Sequence, residues 1–171
     1  MELYFVGGAC SLAPHIVLNE LGLPAKLTKV DLGQAKTADG RDFKAINPKG
    51  YVPALQLDNG EVLTEAAAIL QYLVDQAPNR GLAPVAGTFE RYRFIEWLTF
   101  VSSEIHKGFG PLWSPTTPAE TRTATIEKLG KRFAYLDAHL AKNRFLMARP
   151  SLPRTLICSR SRTGRTTTRW I

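Results

Sequence analysis

"ELYFVGGACSLAPHIVLNELGLPAKLTKVDL", residues 2–32, contains the pattern that decides the fold. Its first five residues, "ELYFV", are aromatic-rich and β-prone and stop at Gly7-Gly8, which reads as a buried strand. Leu12, Ile16, Val17, Leu21 and Leu23 then recur at three-to-four spacing, so an amphipathic helix follows and ends near Gly22-Leu23-Pro24. "KLTKVDL" (26–32) alternates polar and apolar and reads as a second strand. It is expected to run parallel to the first, because a helix lies between them.

Outward from this β-α-β unit, residues 33–50 are polar and glycine-bearing, a loop with one short helix. "VPALQL" (52–57), "DNG" (58–60) and "EVLT" (61–64) spell a hairpin. "EAAAILQYLVDQ" (65–76) is a strong helix stopped by Pro78. The order β-α-β, loop, β-β-α is that of a thioredoxin-like α/β domain over residues 1–77. "APNRGLAPVAG" has the composition of a linker, assigned to 78–87. The rest, 88–147, reads as all-helical: a long aromatic-dense helix over 89–109, then one over 118–142. A capping box, Thr117 at N-cap, Pro118 at N1 and Glu120 at N3, opens the second helix. Its Ile126, Leu129, Phe133, Leu136 and Leu140 are spaced 3, 4, 3, 4, a face built for burial. The fold class is therefore α/β plus all-α.

The 171 residues are 44% hydrophobic and 22% charged, enough apolar surface for a core. No window is long and apolar enough to span a membrane, and "MELYFVGG" lacks a signal-peptide pattern, so a cytoplasmic location is expected. The formal charge of +7 arises from 22 Lys and Arg against 15 Asp and Glu. Six of those arginines and none of the acids lie from residue 149 onward, so the first 148 residues are nearly neutral and argue for neither a nucleic-acid nor a membrane partner. Cys10 and Cys158 form no CxxC pair and no zinc-ligand spacing, and no metal is expected.

Cys10 sits at the strand-to-helix turn, where unpaired N–H groups and the positive end of the helix dipole favour an anion and lower a thiol's pKa. Ser11 adds a hydroxyl. From position alone, Cys10 is either a packed small residue or a reactive thiol. Two features point at the same place. Pro53 opens a strand, and a cis Val52–Pro53 bond facing the Cys10 turn would leave the Val52 N–H and C=O to pair with a peptide-like ligand. Glu65 opens a helix, where backbone donors near Glu65 and Ala66 suit a carboxylate and the Glu65 side chain suits an ammonium. The alternatives are an ordinary edge proline and a dipole-matched glutamate.

"GACSLAPHI" (8–16), "NPKGYVPAL" (47–55), "LTEAAAILQYL" (63–73) and "RYRFIEWLTFVSSEIHKGFGPLW" (91–113) together closely resemble bacterial β-class glutathione transferases, colinearly from Met1 to about Met147. The resemblance implies a thioredoxin-like domain followed by an α-helical domain, a homodimer, glutathione as co-substrate and a small hydrophobic electrophile as partner. It implies that Cys10 contacts the glutathione sulfur and can form a mixed disulfide with it. Val52, beside Pro53, would pair with the cysteinyl backbone, Glu65 and Ala66 would hold the γ-glutamyl end, and Lys36 would approach the glycine carboxylate. Ser103, His106 and Lys107 would face the ligand from the helical domain, with His106 near the sulfur. Gly7 stands where relatives often have proline, and Thr99 where many have asparagine. The rival readings are a glutathione-dependent thiol–disulfide reductase and a non-catalytic glutathione- or ligand-binding fragment.

After Ala148 the resemblance stops. "RPSLPRTLICSRSRTGRTTTRWI" (149–171) has no helical period, where the family has a helix opened by a Ser/Thr-x-x-Asp box. The helical domain thus reads as incomplete and the tail as aberrant. A basic phosphate-binding arm and a disordered extension are two readings. A third is a reading-frame shift. Codons rebuilt from the last base of each codon and the first two of the next, over Arg149–Ser159, permit Pro-Ser-Phe-Ser-Ala-Ala-Asp-Ala-Tyr-Leu-Phe, which contains the missing box. Sequencing the coding DNA tests it.

Overall fold

The computed structural model describes residues 1–147, so the readings made for the tail lie outside the described residues. The chain divides into two compact units, Met1–Ala83 and residues 84–147.

In the first unit the elements are β1 (Glu2–Phe5), α1 (Leu12–Leu21), β2 (Lys26–Asp31), β3 (Lys36–Thr37), α2 (Phe43–Ile46), β4 (Ala54–Gln56), β5 (Val62–Thr64) and α3 (Ala66–Gln76). The sheet order is β3-β2-β1-β4-β5. β2 lies parallel to β1, as the intervening helix requires, with Leu3 opposite Leu27, and β4 and β5 form the antiparallel hairpin. Gly22 ends α1 in the left-handed conformation (φ 66°), which a residue without Cβ adopts at no steric cost. The 33–50 stretch, expected to be a loop with one short helix, also holds β3, a two-residue edge strand antiparallel to β2. Such a short strand carries no alternation to read.

Successive β1 residues point to opposite faces of the sheet, and both faces are covered: Leu3 and Tyr4 are each fully buried. Tyr4 packs with Val30, Phe43, Val52 and Ala54, and Val6, Ala9, Ile46 and Val62 close around them. α1 and α3 pack against each other. An ionic network holds the 38–42 loop to β1. The Arg41 guanidinium reaches Glu2 Oε1 at 2.5 Å and Asp39 Oδ2 at 2.7 Å, and it donates to the Tyr4 hydroxyl at 2.8 Å. Burial works to raise the Glu2 pKa, but hydrogen bonds from Arg41, Thr28 and Lys26 outweigh it and hold the carboxyl at about 2.

The second unit contains α4 (Phe89–Phe100), a π-helical segment (Val101–His106), a 3₁₀ turn (Lys107–Phe109), α5 (Gly110–Trp113) and α6 (Ala119–Lys142). The single helix expected over 89–109 is thus corrected: it changes its winding at Val101, and the Lys107 N–H donates to the Ser102 carbonyl, five residues back. The cause is visible in the core. Trp97, Val101, Ile105 and Phe109 all join one cluster with Leu136 and Leu140, and a spacing of four sustained three times needs a turn wider than 3.6 residues.

The capping box is also corrected. Pro118 has extended ψ (147°) and is itself the N-cap, with no side-chain cap bond, so Thr117 falls one residue too early to cap. Of the periodic face of α6, Leu129, Leu136 and Leu140 are buried and Phe133 packs on the cluster, whereas Ile126 is 59% exposed. No helix among the described residues is long and apolar enough to cross a membrane.

Candidate active site

β1 ends at Phe5, and the chain turns through Gly8 (φ 75°) into α1. Cys10 is half-buried immediately before the N-cap residue Ser11, one step ahead of the first helical turn where the sequence placed it. Its thiol donates to the Val52 carbonyl at 3.4 Å. The Val52–Pro53 peptide is cis. The Val52 carbonyl, expected to be left for a ligand, thus already accepts from the thiol and keeps its second lone pair.

Ser11 needs a correction as well. It is only 1% exposed, and its hydroxyl donates to the Val6 carbonyl while accepting from the Val6 N–H, both at 3.1 Å. The group offered to a ligand on sequence grounds is taken up in closing the turn that presents Cys10.

Glu65 precedes α3 with φ 69° and ψ 117°, a conformation uncommon for a residue with a Cβ. Its carbonyl accepts the first helical bond, from Ile69 N at 2.9 Å, and Ala66 is the first residue of α3. Its carboxylate accepts from the Tyr51 hydroxyl at 2.5 Å and lies 3.6 Å from Lys49 Nζ. Sequence reasoning missed Tyr51 and Lys49. Their closeness to Val52 in "NPKGYVPAL" was the available signal. Lys36 lies on β3 opposite Asp31, and with Val6, which precedes the Cys10 turn, it lines an open depression of about 580 Å³.

In the second unit Ser103, His106 and Lys107 fall within one wide turn at the end of the π-helical segment. Ser103 donates to the Thr99 carbonyl at 2.9 Å. Burial, with a smaller effect from the adjacent Lys107 charge, lowers the His106 pKa below its ordinary value, so the imidazole is neutral at pH 7. Between them Ile105 is fully buried, and Glu104 binds the Arg132 guanidinium of α6 through Nε at 2.9 Å. Among the described residues no group of three or more His, Cys, Asp or Glu is arranged to hold a metal ion.

A family model described as "Glutathione S-transferase, N-terminal domain" matches residues 8–76. The glutathione S-transferase GstA of Escherichia coli O157:H7 is 46% identical over 82% of this chain and 70% of its own length. A sphingomonad glutathione S-transferase solved in complex with glutathione is 49% identical, with a TM-score of 0.82 over 85% of this chain and 72% of that one. A β-class glutathione S-transferase of Sphingomonas chungbukensis is 45% identical, with a TM-score of 0.83 over 89% and 76%. With a thiol at the β1–α1 turn, a thioredoxin-like sheet and a helical second unit, and with these likenesses to known proteins, the chain belongs to the bacterial β-class glutathione S-transferases.

Proposed function

We propose that this enzyme binds glutathione along the Cys10, Val52 and Glu65 line of its first unit and delivers the glutathione sulfur to a small hydrophobic electrophile. The observation that carries the reading is the 3.4 Å bond from the Cys10 thiol to the Val52 carbonyl. It joins the reactive sulfur to the backbone that would pair with a cysteinyl residue. Glu65 and the N-terminus of α3 suit the ammonium and carboxylate of a γ-glutamyl group, and Lys36 suits the glycine carboxylate. From the second unit the family resemblance assigns Ser103, His106 and Lys107 to the ligand, and a neutral His106 is in the protonation state of a base.

In conjugation the glutathione thiol gives its proton to solvent, its sulfur forms a bond to the electrophilic carbon, and the leaving group departs with its electron pair. In the mixed-disulfide branch the Cys10 thiolate attacks glutathione disulfide. A Cys10–glutathione S–S bond forms, the original S–S bond breaks and one glutathione thiolate leaves. A homodimer in the cytoplasm is part of the same reading.

The test is Cys10→Ala. Intact mass after exposure to glutathione disulfide, followed by peptide mapping, should show one glutathionyl group on Cys10 of the parent and none at position 10 of the variant. Mapping separates this from adduct on Cys158. Conjugation should persist in the variant at a reduced rate. If conjugation vanishes together with thiol exchange, the reductase reading replaces the transferase mechanism. If only Cys158 is modified in the parent, the mixed-disulfide branch is wrong.

A further inference from the structure

Glu65 is held by two side chains to which glutathione binding, as proposed, gives no role. Tyr51 donates its phenol proton to Glu65 Oε1 at 2.5 Å. Lys49 Nζ lies 3.6 Å from that same oxygen and donates to the Thr64 hydroxyl at 2.8 Å. Both contacts land on Oε1. A hydrogen bond on Oε1, with the Cα held, restricts the rotation of the planar carboxylate and narrows the directions Oε2 can take. The Cα is already fixed, because Glu65 sits at φ 69° with its carbonyl committed to the first bond of α3.

The two partners are not equivalent. Lys49 and Glu65 are each about half exposed, and an exposed ion pair is weak and loosely aimed. Lys49 also sets a positive charge beside the oxygen, which opposes a cationic ligand group. The Tyr51 bond is short, charge-assisted and neutral on the donor side, so it orients the carboxylate without cancelling its charge. The bond to Glu65 raises the Tyr51 pKa above its ordinary value, and the phenol keeps its proton across the physiological range.

We propose that Tyr51 is a positioning residue, which clamps Glu65 Oε1 so that Oε2 is pre-aimed at the α-ammonium of a γ-glutamyl ligand. Tyr51 then helps the site select ligands that carry that amine. The inference rests on the proposed binding of glutathione and adds to it the residue that gives Glu65 its direction.

Calorimetric titration at pH 7 tests it, with reduced glutathione and its desamino analogue, which lacks only the α-amine, on the parent chain and on Tyr51→Phe. The phenylalanine keeps the ring and removes one hydroxyl, and thermal midpoints check that the fold is retained. Tyr51→Phe should weaken glutathione about three- to tenfold, the range for loss of one orienting hydrogen bond to a charged group. The analogue should bind the parent more weakly than glutathione does and should change less than twofold in the variant. In a Glu65→Gln background the Tyr51→Phe change should have no further effect on glutathione. Equal losses for both ligands would make Tyr51 a merely structural residue, and no loss for glutathione would remove it from the site. A parent chain that binds neither ligand overturns the proposed glutathione binding, and the role of Tyr51 with it.

Discussion

The two units hold the residues proposed for the site by different means. In the first unit the backbone does the work: Cys10 stands on a turn closed by Ser11 and Val6, and Val52 belongs to the buried cluster of Tyr4, Val30, Phe43 and Ala54. The Glu65 backbone is set by its own unusual φ, and its carboxylate accepts from Tyr51. In the second unit Ser103, His106 and Lys107 ride on a helix whose winding widens to keep Trp97, Val101, Ile105 and Phe109 on one core. On turns and strand ends the backbone of these residues is set by the core beneath them, while on a wide helical turn it depends on what holds that turn open.

Phe43→Ala should break the first unit hardest. Phe43 is fully buried against Tyr4, with ring centroids 5.8 Å apart, and belongs to the cluster that contains Val52. Removing a buried Phe costs about 3–5 kcal/mol, a large share of the about 5–15 kcal/mol that holds a typical domain. Denaturant unfolding should show a large fall in midpoint, with the Cys10–Val52 region loosened as well. A loss under about 1 kcal/mol would mean that the cluster does not support the site.

An acid titration sharpens the contrast, because the two units carry shifted groups in different pH windows. His106 has its pKa lowered in the fold, so its contribution is present above about pH 6.5 and declines as pH falls below that value. Glu2, near 4.5 when unfolded and about 2 when folded, contributes fully above pH 4.5 and loses that contribution as pH falls toward 2. Partial exposure of the network limits the Glu2 effect to about 1–2 kcal/mol. Melting temperatures of Glu2→Gln should start below the parent at about pH 6 and fall less between about pH 4.5 and 3. Parallel curves would show that Arg41 does not hold the 38–42 loop through Glu2.

What could be read in advance follows the same division. The β-α-β start, the hairpin and α3 were legible because period-2 and period-3.6 patterns are local and end at Gly or Pro. Cys10, Val52 and Glu65 were legible as positions, since a strand-to-helix turn and helix starts are marked in sequence. The Ser11 hydroxyl was misassigned because nothing in the sequence says that its bonds close back on Val6. The π-helical segment was hidden for a related reason: the 97–101–105–109 spacing reads as an ordinary helix unless the repeated interval of four is taken literally. Tyr51 and Lys49 were missed because their partner, Glu65, is distant in sequence and reaches them only through the turns that bring β5 and the 47–53 loop together.

The smallest effect is the most informative about the second unit. Arg132 donates to Glu104 Oε2 through Nε at 2.9 Å and lies 2.8 Å from it through a terminal nitrogen, with Lys128 at 3.8 Å. Both partners of the Arg132–Glu104 pair are about one-third exposed, so the pair contributes about 0.5–1 kcal/mol, and Arg132→Met should barely move the melting temperature. Glu104, however, sits between Ser103 and Ile105 in the wide turn, and a wide turn has fewer good backbone bonds than an α-helix to fall back on. Local opening should therefore respond more than global stability does. Hydrogen exchange in Arg132→Met should quicken at the amides of 101–107 and stay unchanged in β4 and β5. Unchanged exchange at 101–107 would assign the wide turn to the burial of Ile105 alone. In that case both units would place their proposed site residues by the same rule, with the core beneath each setting the backbone and the surface ion pairs left without influence on it.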